Sequence, residues 1–468
     1  MLISRYSNPE FDPYENDDLI EVVDDGPWAA PTASGPVKAE LSLPGSKSLT
    51  NRELVLSALA SGTSILRSPL HSRDTALMMQ ALRALGVIIE ETSQGRYGPD
   101  LLITPGELEG GTFIDCGLAG TVMRFVPPVA ALALGPVAFD GDESARRRPM
   151  RSTIDSLRAL GVDVNDDGRG RLPFSLYATG NVAGGAIEVD ASQSSQFVSG
   201  LLLAGARFEN GLQLTHTGET LPSLPHIEMT IATLAGRGVA VESPAPGQWT
   251  VAAGTIAGAS VDIEPDLSNA APFLVAALVA GGTVTVTGWP DATTQVGAHL
   301  EHLLPLFGAT VTRADGNLTV DGGAGLAGGA RIRGVELDLS LAGELAPALI
   351  ALAALADSPS RITGIGHLRG HETDRLAALA AELNALGGSV TELDDGLAID
   401  PKPLHGGLWH SYEDHRMATA GAIIGLAVAG VEIDDIATTA KTLPQFPELW
   451  RRSLLGIGAE PGDPLNLI

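Results

Sequence analysis

Residues 269–288, NAAPFLVAALVAGGTVTVTG, place a run of apolar residues directly before two glycines and an alternation of Thr and Val. The run predicts a helix without a polar face, which has to be buried on all sides. The alternation that follows predicts a β-strand. A second segment, MATAGAIIGLAVAGVEIDDI from residue 417, has the same order. Both segments therefore predict a fully buried helix that leads into a strand.

This unit recurs six times along the chain. Successive copies begin 73, 74, 73, 76 and 72 residues apart, near Ser48, Thr121, Ser195, Ser268, Glu344 and Arg416. Such regular spacing indicates duplication. A second, amphipathic helix that ends in glycine alternates with the buried helix in five units, as in TALMMQALRALG from residue 75. In the sixth unit, the sequence does not show where the second helix lies.

Six units of helix and strand predict an α/β protein. A dinucleotide-binding fold would need a G-x-G-x-x-G motif after a strand, and the chain has none. Six units divide naturally into three and three, which predicts two domains around a cleft. The segment 260–266 is the most suitable crossover between them. We expect the cleft to be open and electropositive before substrate binds.

Composition excludes several classes of protein. The 468 residues are 44% apolar and 18% charged, which is typical of a globular chain. A net charge of −27 argues against nucleic acid and anionic membrane as partners. One cysteine, Cys116, excludes intramolecular disulfides, and no apolar run reaches the roughly 18 residues of a membrane span. These features predict a cytoplasmic protein.

The first 26 residues differ from the rest of the chain. They contain eight acidic residues and one basic residue, Arg5, and they lack the basic-then-apolar pattern of a secretory signal. We expect residues 1–26 to form a disordered, solvated acidic extension.

The unusual polar residues lie where the buried helices begin. The first turn of a helix exposes unpaired N–H groups and the positive end of the dipole, so it binds anions. The first unit, LPGSKSLTNREL, places Lys47 and Arg52 at such a start, and Lys47 is one of only four lysines. In the second unit, Gly120 allows close approach of the backbone to a ligand, and Arg148 stands before a later helix. The third unit offers Ser194, Ser195 and Gln196.

The fifth and sixth units carry the densest groups of charge. Glu344 begins one buried helix, HETDR places His371, Glu372 and Arg375 before an amphipathic helix, and DHR places Arg416 before the last apolar helix. Desolvation of such charges is costly, which indicates a function. No metal-ligand spacing and no cofactor motif is present, so we expect neither. Many cations with two or three carboxylates suit acid–base chemistry on a substrate with several negative charges.

At this point the chain resembles a known family. PGSKSLTNR, LAGTVMRF, SSQF, HETDR, DHRMA and AKTLPQF, in this order from about residue 36 onward, resemble the 5-enolpyruvylshikimate-3-phosphate synthases. The resemblance implies two inside-out α/β barrel domains of three units each. It places the first domain at 47–265 and the second at 27–46 plus 266–468. It also implies transfer of the enolpyruvyl group of phosphoenolpyruvate to the 5-hydroxyl of shikimate 3-phosphate, by a monomer.

The resemblance also implies roles for individual residues. The general base is Glu344, and the acid that protonates the methylene carbon is Glu372. Phosphoenolpyruvate is held by a mostly cationic set: Lys47, which is also implied in catalysis, Gly120, Arg148, Arg375, Arg416 and Lys441. Shikimate 3-phosphate is contacted from both halves of the chain: Lys47, Ser48, Arg52, Ser194, Ser195, Gln196, Ser223, Glu344 and His371.

The chain departs from the family pattern at several of these positions. Leu118 stands where many members have Asn, Glu344 where many have Asp, and His371 where many have a substrate-binding Lys. Two other functions stay open. A UDP-N-acetylglucosamine enolpyruvyl transferase would need a reactive cysteine and uridine contacts. A non-catalytic binding protein of this fold is the other, and it is opposed by five intact residues: Lys47, Arg148, Glu372, Arg375 and Arg416.

Overall fold

The computed structural model describes residues 26–458, so residues 1–25 of the predicted extension lie outside the described chain. Its first part consists of β1 (Trp28–Ala29), β2 (Val37–Leu41), α1 (Lys47–Ala58), β3 (Ser64–Arg67), α2 (Arg73–Ala84), β4 (Ile88–Gly95), β5 (Gly98–Thr104), β6 (Thr112–Asp115), α3 (Gly120–Ala130), β7 (Leu134–Asp140), α4 (Glu143–Arg147), α5 (Arg151–Ala159), β8 (Asp163–Asn165), β9 (Phe174–Thr179), β10 (Gly185–Val189), α6 (Gln196–Gly205), β11 (Leu212–His216), α7 (Leu224–Gly236), β12 (Val241–Glu242), β13 (Gln248–Val251) and β14 (Ser260–Asp262).

Its second part consists of α8 (Leu267–Ala280), β15 (Gly282–Thr287), α9 (Leu300–Phe307), β16 (Thr310–Ala314), β17 (Asn317–Asp321), β18 (Glu336–Asp338), α10 (Ala346–Ala354), β19 (Ser360–Thr363), α11 (Arg375–Ala385), β20 (Ser389–Glu392), β21 (Leu397–Asp400), β22 (Gly407–Trp409), α12 (His415–Ala427), β23 (Val431–Ile433) and α13 (Phe446–Glu448). Short 3₁₀ turns precede α9, α10 and α11 and follow β23, and a π-helix, Leu449–Leu454, follows α13.

The strands form six small sheets within residues 26–458, and five of them have four strands in one pattern. In each of the five, one pair of neighbouring strands is parallel and the other two pairs are antiparallel. In three of them the parallel strands come directly before and after a buried helix, which is α3, α6 or α10. The sheet β6-β7-β9-β8 is an example: β6 is parallel to β7, and β9 is antiparallel to both β7 and β8. The sixth sheet, β1-β23-β22, has three strands. The predicted repeat is therefore a real structural unit.

The buried helices lie at the centre and the sheets lie outside. In α3 and α8 every residue is buried, as their lack of a polar face predicts. The helices α1, α3 and α6 pack together, and so do α8, α10 and α12. The amphipathic helices α2, α5, α7, α9 and α11 fill the second helix position of their units, and each leaves one side partly exposed. This is the inside-out α/β arrangement implied by the family resemblance.

The buried apolar residues form two clusters, which define two halves of the molecule. One cluster lies within residues 54–256, and the other combines residues 30–43 with residues 267–454. The second half includes β2 because this strand pairs in parallel with β15, whereas β14 returns to β3 of the first half. The chain crosses between the halves twice, and the two crossings touch where Gly45 pairs with Pro265. Within residues 26–458, no helix is both long and apolar enough to cross a membrane.

Candidate active site

All six starts of the buried helices meet between the two halves. Two adjoining cavities lie there, and Lys47, Glu344 and Arg416 belong to the walls of both. One cavity lies against the starts of α1 and α8, and the other against the starts of α3, α6 and α12. Glu344 stands in the 3₁₀ turn that leads into α10. The helix N-termini thus converge, with the anion-attracting end of each helix facing the cavities.

Glu344 is surrounded by hydrogen-bond donors. Its Oε2 accepts from Ser268 Oγ at 3.1 Å and from Arg416 Nη2 at 3.0 Å. Its Oε1 lies 3.3 Å from His226 Nε2, which belongs to the other half. Burial raises the pKa of Glu344, but His226, Arg416 and Lys47 together outweigh burial and hold it well below its usual range. The carboxylate is therefore ionised, as a general base has to be.

Glu372 lies in a second cationic setting. Its Oε1 accepts from Lys441 Nζ at 2.5 Å, and its Oε2 accepts from Arg375 Nη2 at 2.9 Å. Arg375 is fixed in turn by Asp414, which accepts from its Nε at 2.7 Å and from its Nη2 at 3.1 Å. Burial raises the pKa of Glu372, but Lys441, Arg375 and Arg148 outweigh burial and hold it well below its usual range. This carboxyl is thus also ionised in the structure.

Gly120 lies against three polar side-chain ends. A Cβ added there would come within 3.2 Å of both Arg148 Nη1 and Gln196 Oε1, and within 3.3 Å of Arg124 Nη1. Buried polar atoms without a hydrogen-bond partner collect at the same place: Arg124 Nε, Arg148 Nε, Gln196 Oε1 and both ring nitrogens of His415. Since buried polar groups are normally satisfied, the unpartnered arginine nitrogens of this cluster suit an anionic ligand, whereas Gln196 Oε1 could accept from a ligand hydroxyl.

Four of the predicted site residues lie outside the walls of both cavities: Arg52, Ser195, Ser223 and Lys441. Arg52 is 2% exposed, and its guanidinium donates to three acceptors of the protein: Thr230 Oγ1, Ser48 O and His226 O, each at 2.8 Å. Burial lowers its pKa to about 10. In this structure Arg52 ties α1 to α7.

The two halves touch across the site. Lys441 Nζ donates to the Leu118 carbonyl at 3.2 Å, and the Ser223 amide donates to the Ser340 carbonyl at 3.3 Å. Because Lys441 uses a backbone oxygen, the replacement of the family's Asn by Leu118 does not remove this contact. The cleft in this structure is closed, and the open cleft expected without substrate stays a prediction.

A family model for EPSP synthase (3-phosphoshikimate 1-carboxyvinyltransferase) matches residues 31–450. The chain belongs to the EPSP synthase family. A 3-phosphoshikimate 1-carboxyvinyltransferase of Kocuria rhizophila is 57% identical over 430 residues, which are 90% of this chain and 95% of that protein. The resemblance stated from the six motifs is confirmed.

Solved structures give the same result. An EPSP synthase from Acinetobacter baumannii is 26% identical, with a TM-score of 0.73, and the match covers 91% of this chain and 98% of that one. The enolpyruvyl transferase NikO from Streptomyces tendae is 18% identical, with a TM-score of 0.70 over 93% of this chain and 98% of that one, and shows the shared fold. The predicted fold class is confirmed for this EPSP synthase family member.

Three residues of the site were missed by the sequence analysis: Arg124, His226 and His367. Arg124 lies within LAGTVMRF, a motif that was used only for its glycine. His226 contacts Glu344, and His367 Nε2 lies 3.5 Å from Ser223 Oγ. Neither histidine belongs to a motif or stands at the start of a buried helix, so only their tertiary contacts identify them as site residues. His371 lines the second cavity, with its Nδ1 3.2 Å from Arg375 Nη1.

Proposed function

We propose that the protein transfers the enolpyruvyl group of phosphoenolpyruvate to the 5-hydroxyl of shikimate 3-phosphate and releases phosphate. The 57% identity to a 3-phosphoshikimate 1-carboxyvinyltransferase over most of both chains carries this proposal. The geometry supports it, because two ionised carboxylates and five cations line the two cavities, and Lys441 lies against Glu372 behind the wall. The product would serve aromatic amino-acid biosynthesis by the shikimate pathway.

Phosphoenolpyruvate would bind beside Gly120. The unpartnered Nε atoms of Arg148 and Arg124 lie there, and Arg375, Arg416 and Lys441 extend the cationic surface toward Glu372. Guanidinium groups can bind phosphate and carboxylate oxygens in bidentate fashion. Glu372 stands among these cations, where it could reach the methylene carbon and protonate it.

Shikimate 3-phosphate would occupy the space between Lys47, Ser194, Gln196 and Glu344, which share a cavity wall. Ser48 lines the adjoining cavity, and Ser195, Ser223 and His371 stand close by. Glu344 would take the proton of the 5-hydroxyl, and Lys47 would stabilise charge near both substrates. Arg52 holds the start of α7 through the His226 carbonyl, and its contact with shikimate 3-phosphate stays part of the proposal.

The two halves would act as domains at 47–265 and at 27–46 plus 266–468. The separate apolar clusters and the paired crossings support this division. The monomeric state implied by the resemblance stays part of the proposal. The cytoplasmic location expected from the sequence stays part of the proposal.

The alternative acceptor, UDP-N-acetylglucosamine, is not favoured. That chemistry would need a reactive cysteine, whereas Cys116 is fully buried in the first half. Burial and the nearby Asp115 raise the pKa of its thiol, so the thiolate is disfavoured.

Phosphate release with each acceptor tests the proposal. We expect release from phosphoenolpyruvate with shikimate 3-phosphate and none with UDP-N-acetylglucosamine. The Glu344→Gln and Glu372→Gln variants should each lose about 10²–10⁴-fold in kcat, since general acid–base groups contribute that much. Both should still bind shikimate 3-phosphate in calorimetry. A full-length protein that binds this substrate but releases no phosphate would instead be a non-catalytic binding protein.

A further inference from the structure

The carboxylate of Glu382 accepts hydrogen bonds from a short segment that lies outside the cavities. Glu382 belongs to α11 and is 3% exposed. Its Oε2 accepts from the His410 amide at 2.9 Å, and its Oε1 accepts from Tyr412 Oη at 2.5 Å. Buried carboxylates need such donors, but neither His410 nor Tyr412 lines either of the two cavities. Glu382 therefore binds the segment that precedes α12, and not a ligand.

The segment that Glu382 holds contains a strained turn. The Asp414 amide donates to the Ser411 carbonyl at 2.9 Å, which closes a turn of four residues. Its two central residues, Tyr412 and Glu413, both have a φ of 55°, in the left-handed region. Turns with two left-handed central residues favour Asn and Gly there, and a bulky Tyr is strained in this conformation. Such a backbone persists only where the surrounding contacts fix it.

The turn determines where the charged groups at the start of α12 lie. Its last residue, Asp414, is the N-cap of α12, and its Oδ1 accepts from the Arg416 amide at 2.9 Å. The same carboxylate fixes the guanidinium of Arg375, and Arg416 Nη2 donates to Glu344. A shift of the turn would consequently displace Asp414 and, with it, two arginines of the site.

Helix α11 contacts this segment at two points. Arg375 and Glu382 are seven residues apart, which is two helical turns, so both side chains lie on the same face of α11. Arg375 contacts Asp414, the last residue of the turn, and Glu382 contacts Tyr412 at its centre. The Ser411 amide is held from another side, by Asp434 Oδ1 at 2.8 Å. These contacts together supply the fixation that a strained turn requires.

We propose that Glu382 and Tyr412 are positioning residues, which hold the strained turn so that Asp414 keeps Arg375 and Arg416 aligned for phosphoenolpyruvate. This inference rests on the proposed function, which assigns both arginines to that substrate. Burial and the hydrogen bond to Glu382 raise the pKa of Tyr412 to about 12, so its hydroxyl stays a donor near neutral pH. Loss of either residue should impair the use of phosphoenolpyruvate more than the binding of shikimate 3-phosphate.

The experiment compares Tyr412→Phe, which removes one donor and keeps the ring, with Glu382→Gln, which removes the charge. We expect the KM for phosphoenolpyruvate to rise about tenfold in each, since a hydrogen bond to a charged group contributes roughly this factor. Shikimate 3-phosphate affinity, measured by calorimetry without phosphoenolpyruvate, should stay near the wild-type value. Tyr177→Phe is the matched control, because Tyr177 is half exposed on β9 of the first half. Its KM should not change.

A second substitution separates strain in the turn from a general loss of stability. Glycine adopts the left-handed region without strain, so Glu413→Gly should relieve the turn. Combined with Tyr412→Phe, it should restore much of the KM for phosphoenolpyruvate. Asp315→Gly is the matched control, because Asp315 is exposed, has a φ of 53° and lies between β16 and β17. It should leave the raised KM of Tyr412→Phe unchanged.

Three results would overturn this inference. They are a wild-type KM in both Tyr412→Phe and Glu382→Gln, a loss of equal size for the two substrates, and a KM that Asp315→Gly restores as well as Glu413→Gly does. If Glu382→Gln does not fold, Tyr412→Phe decides alone. A wild-type protein that releases no phosphate with shikimate 3-phosphate would overturn the proposed function instead, so the two failures are distinguishable.

Discussion

At the scale of single residues, Glu372 is ionised where its proposed function needs a proton. Lys441, Arg375 and Arg148 hold it in that form. Phosphoenolpyruvate would bring negative charge to the same cations and weaken their effect on the carboxyl. The pKa of Glu372 should then rise, and a group whose pKa rises on binding takes up protons.

We therefore predict proton uptake when phosphoenolpyruvate binds. Turnover is suppressed by Glu344→Gln, and this variant is first saturated with shikimate 3-phosphate. Calorimetric titrations in buffers of different ionisation enthalpy then measure the protons taken up at mildly acidic pH. The double variant with Glu372→Gln is the matched control, in which the uptake should be lost. Equal uptake in the two proteins would assign the proton to another group.

Residues of the site differ in how far the sequence identifies them. Lys47, Gly120 and Arg416 stand at helix starts, so the repeat and the physics of helix N-termini place them correctly. Arg52 lies about one turn further into α1, and its guanidinium donates to acceptors of the protein itself. His226 has a role only through a contact between the halves, and no local pattern encodes such a contact.

At the scale of elements, a buried ion pair joins α1 to the end of α7. Glu53 Oε2 accepts from Arg237 Nε at 2.9 Å and from Arg237 Nη2 at 2.6 Å. Arg237 also donates to Ser57 Oγ and Ser64 Oγ, and it is 1% exposed. Removal of one partner leaves the other charge buried and unpaired, which is strongly destabilising.

Glu53→Ala should accordingly lower the free energy of unfolding by about 3–5 kcal/mol. Glu143→Ala is the control, because its pair with Arg147 is exposed and should contribute at most about 1 kcal/mol. Urea denaturation followed by circular dichroism measures both. The joint replacement of Glu53 and Arg237 by Met should recover much of the loss. Equal effects of the two Ala variants would show that the buried pair does not hold α1 to α7.

The secondary structure of the sixth unit could not be predicted from the sequence. Its second helix position holds a 3₁₀ turn, α13 and a π-helix, since Pro444 and Pro447 interrupt any regular α-helix there. Trp450 of the π-helix packs against Phe273 and Phe446, and these contacts attach the segment to the core. The strand β1 pairs with β23, which lies about 400 residues further along the chain. Because β1 has only two residues, it shows no alternation from which a strand could be predicted. The other five units were predictable because their helices and strands are close in sequence and strongly patterned.

At the scale of the whole molecule, the closed cleft brings cations of both halves together. Lys47 and Arg148 belong to the first half, and Arg375, Arg416 and Lys441 belong to the second. Without anionic substrate their repulsion opposes closure, whereas shikimate 3-phosphate offsets it.

We predict that the free protein is more expanded than this structure. Small-angle X-ray scattering should show a larger radius of gyration without ligand and a decrease when shikimate 3-phosphate is added. Shikimate, which lacks the phosphate, should cause a smaller decrease. An identical radius with and without shikimate 3-phosphate would contradict electrostatic control of closure.

The pairing of β2 with β15 also affects how the chain is made. A ribosome releases residues 37–41 first, then all of the first half, and only afterwards the strand that β2 needs. All sheets of the first half are complete once β14 has emerged, and we expect this half to fold at that stage. During that interval β2 is a nascent strand with two unpaired edges, a known site of wrong association. Lys38 and Glu40, both exposed in the finished protein, put charge on one face of this strand, so that burial of that face in a wrong contact would cost desolvation.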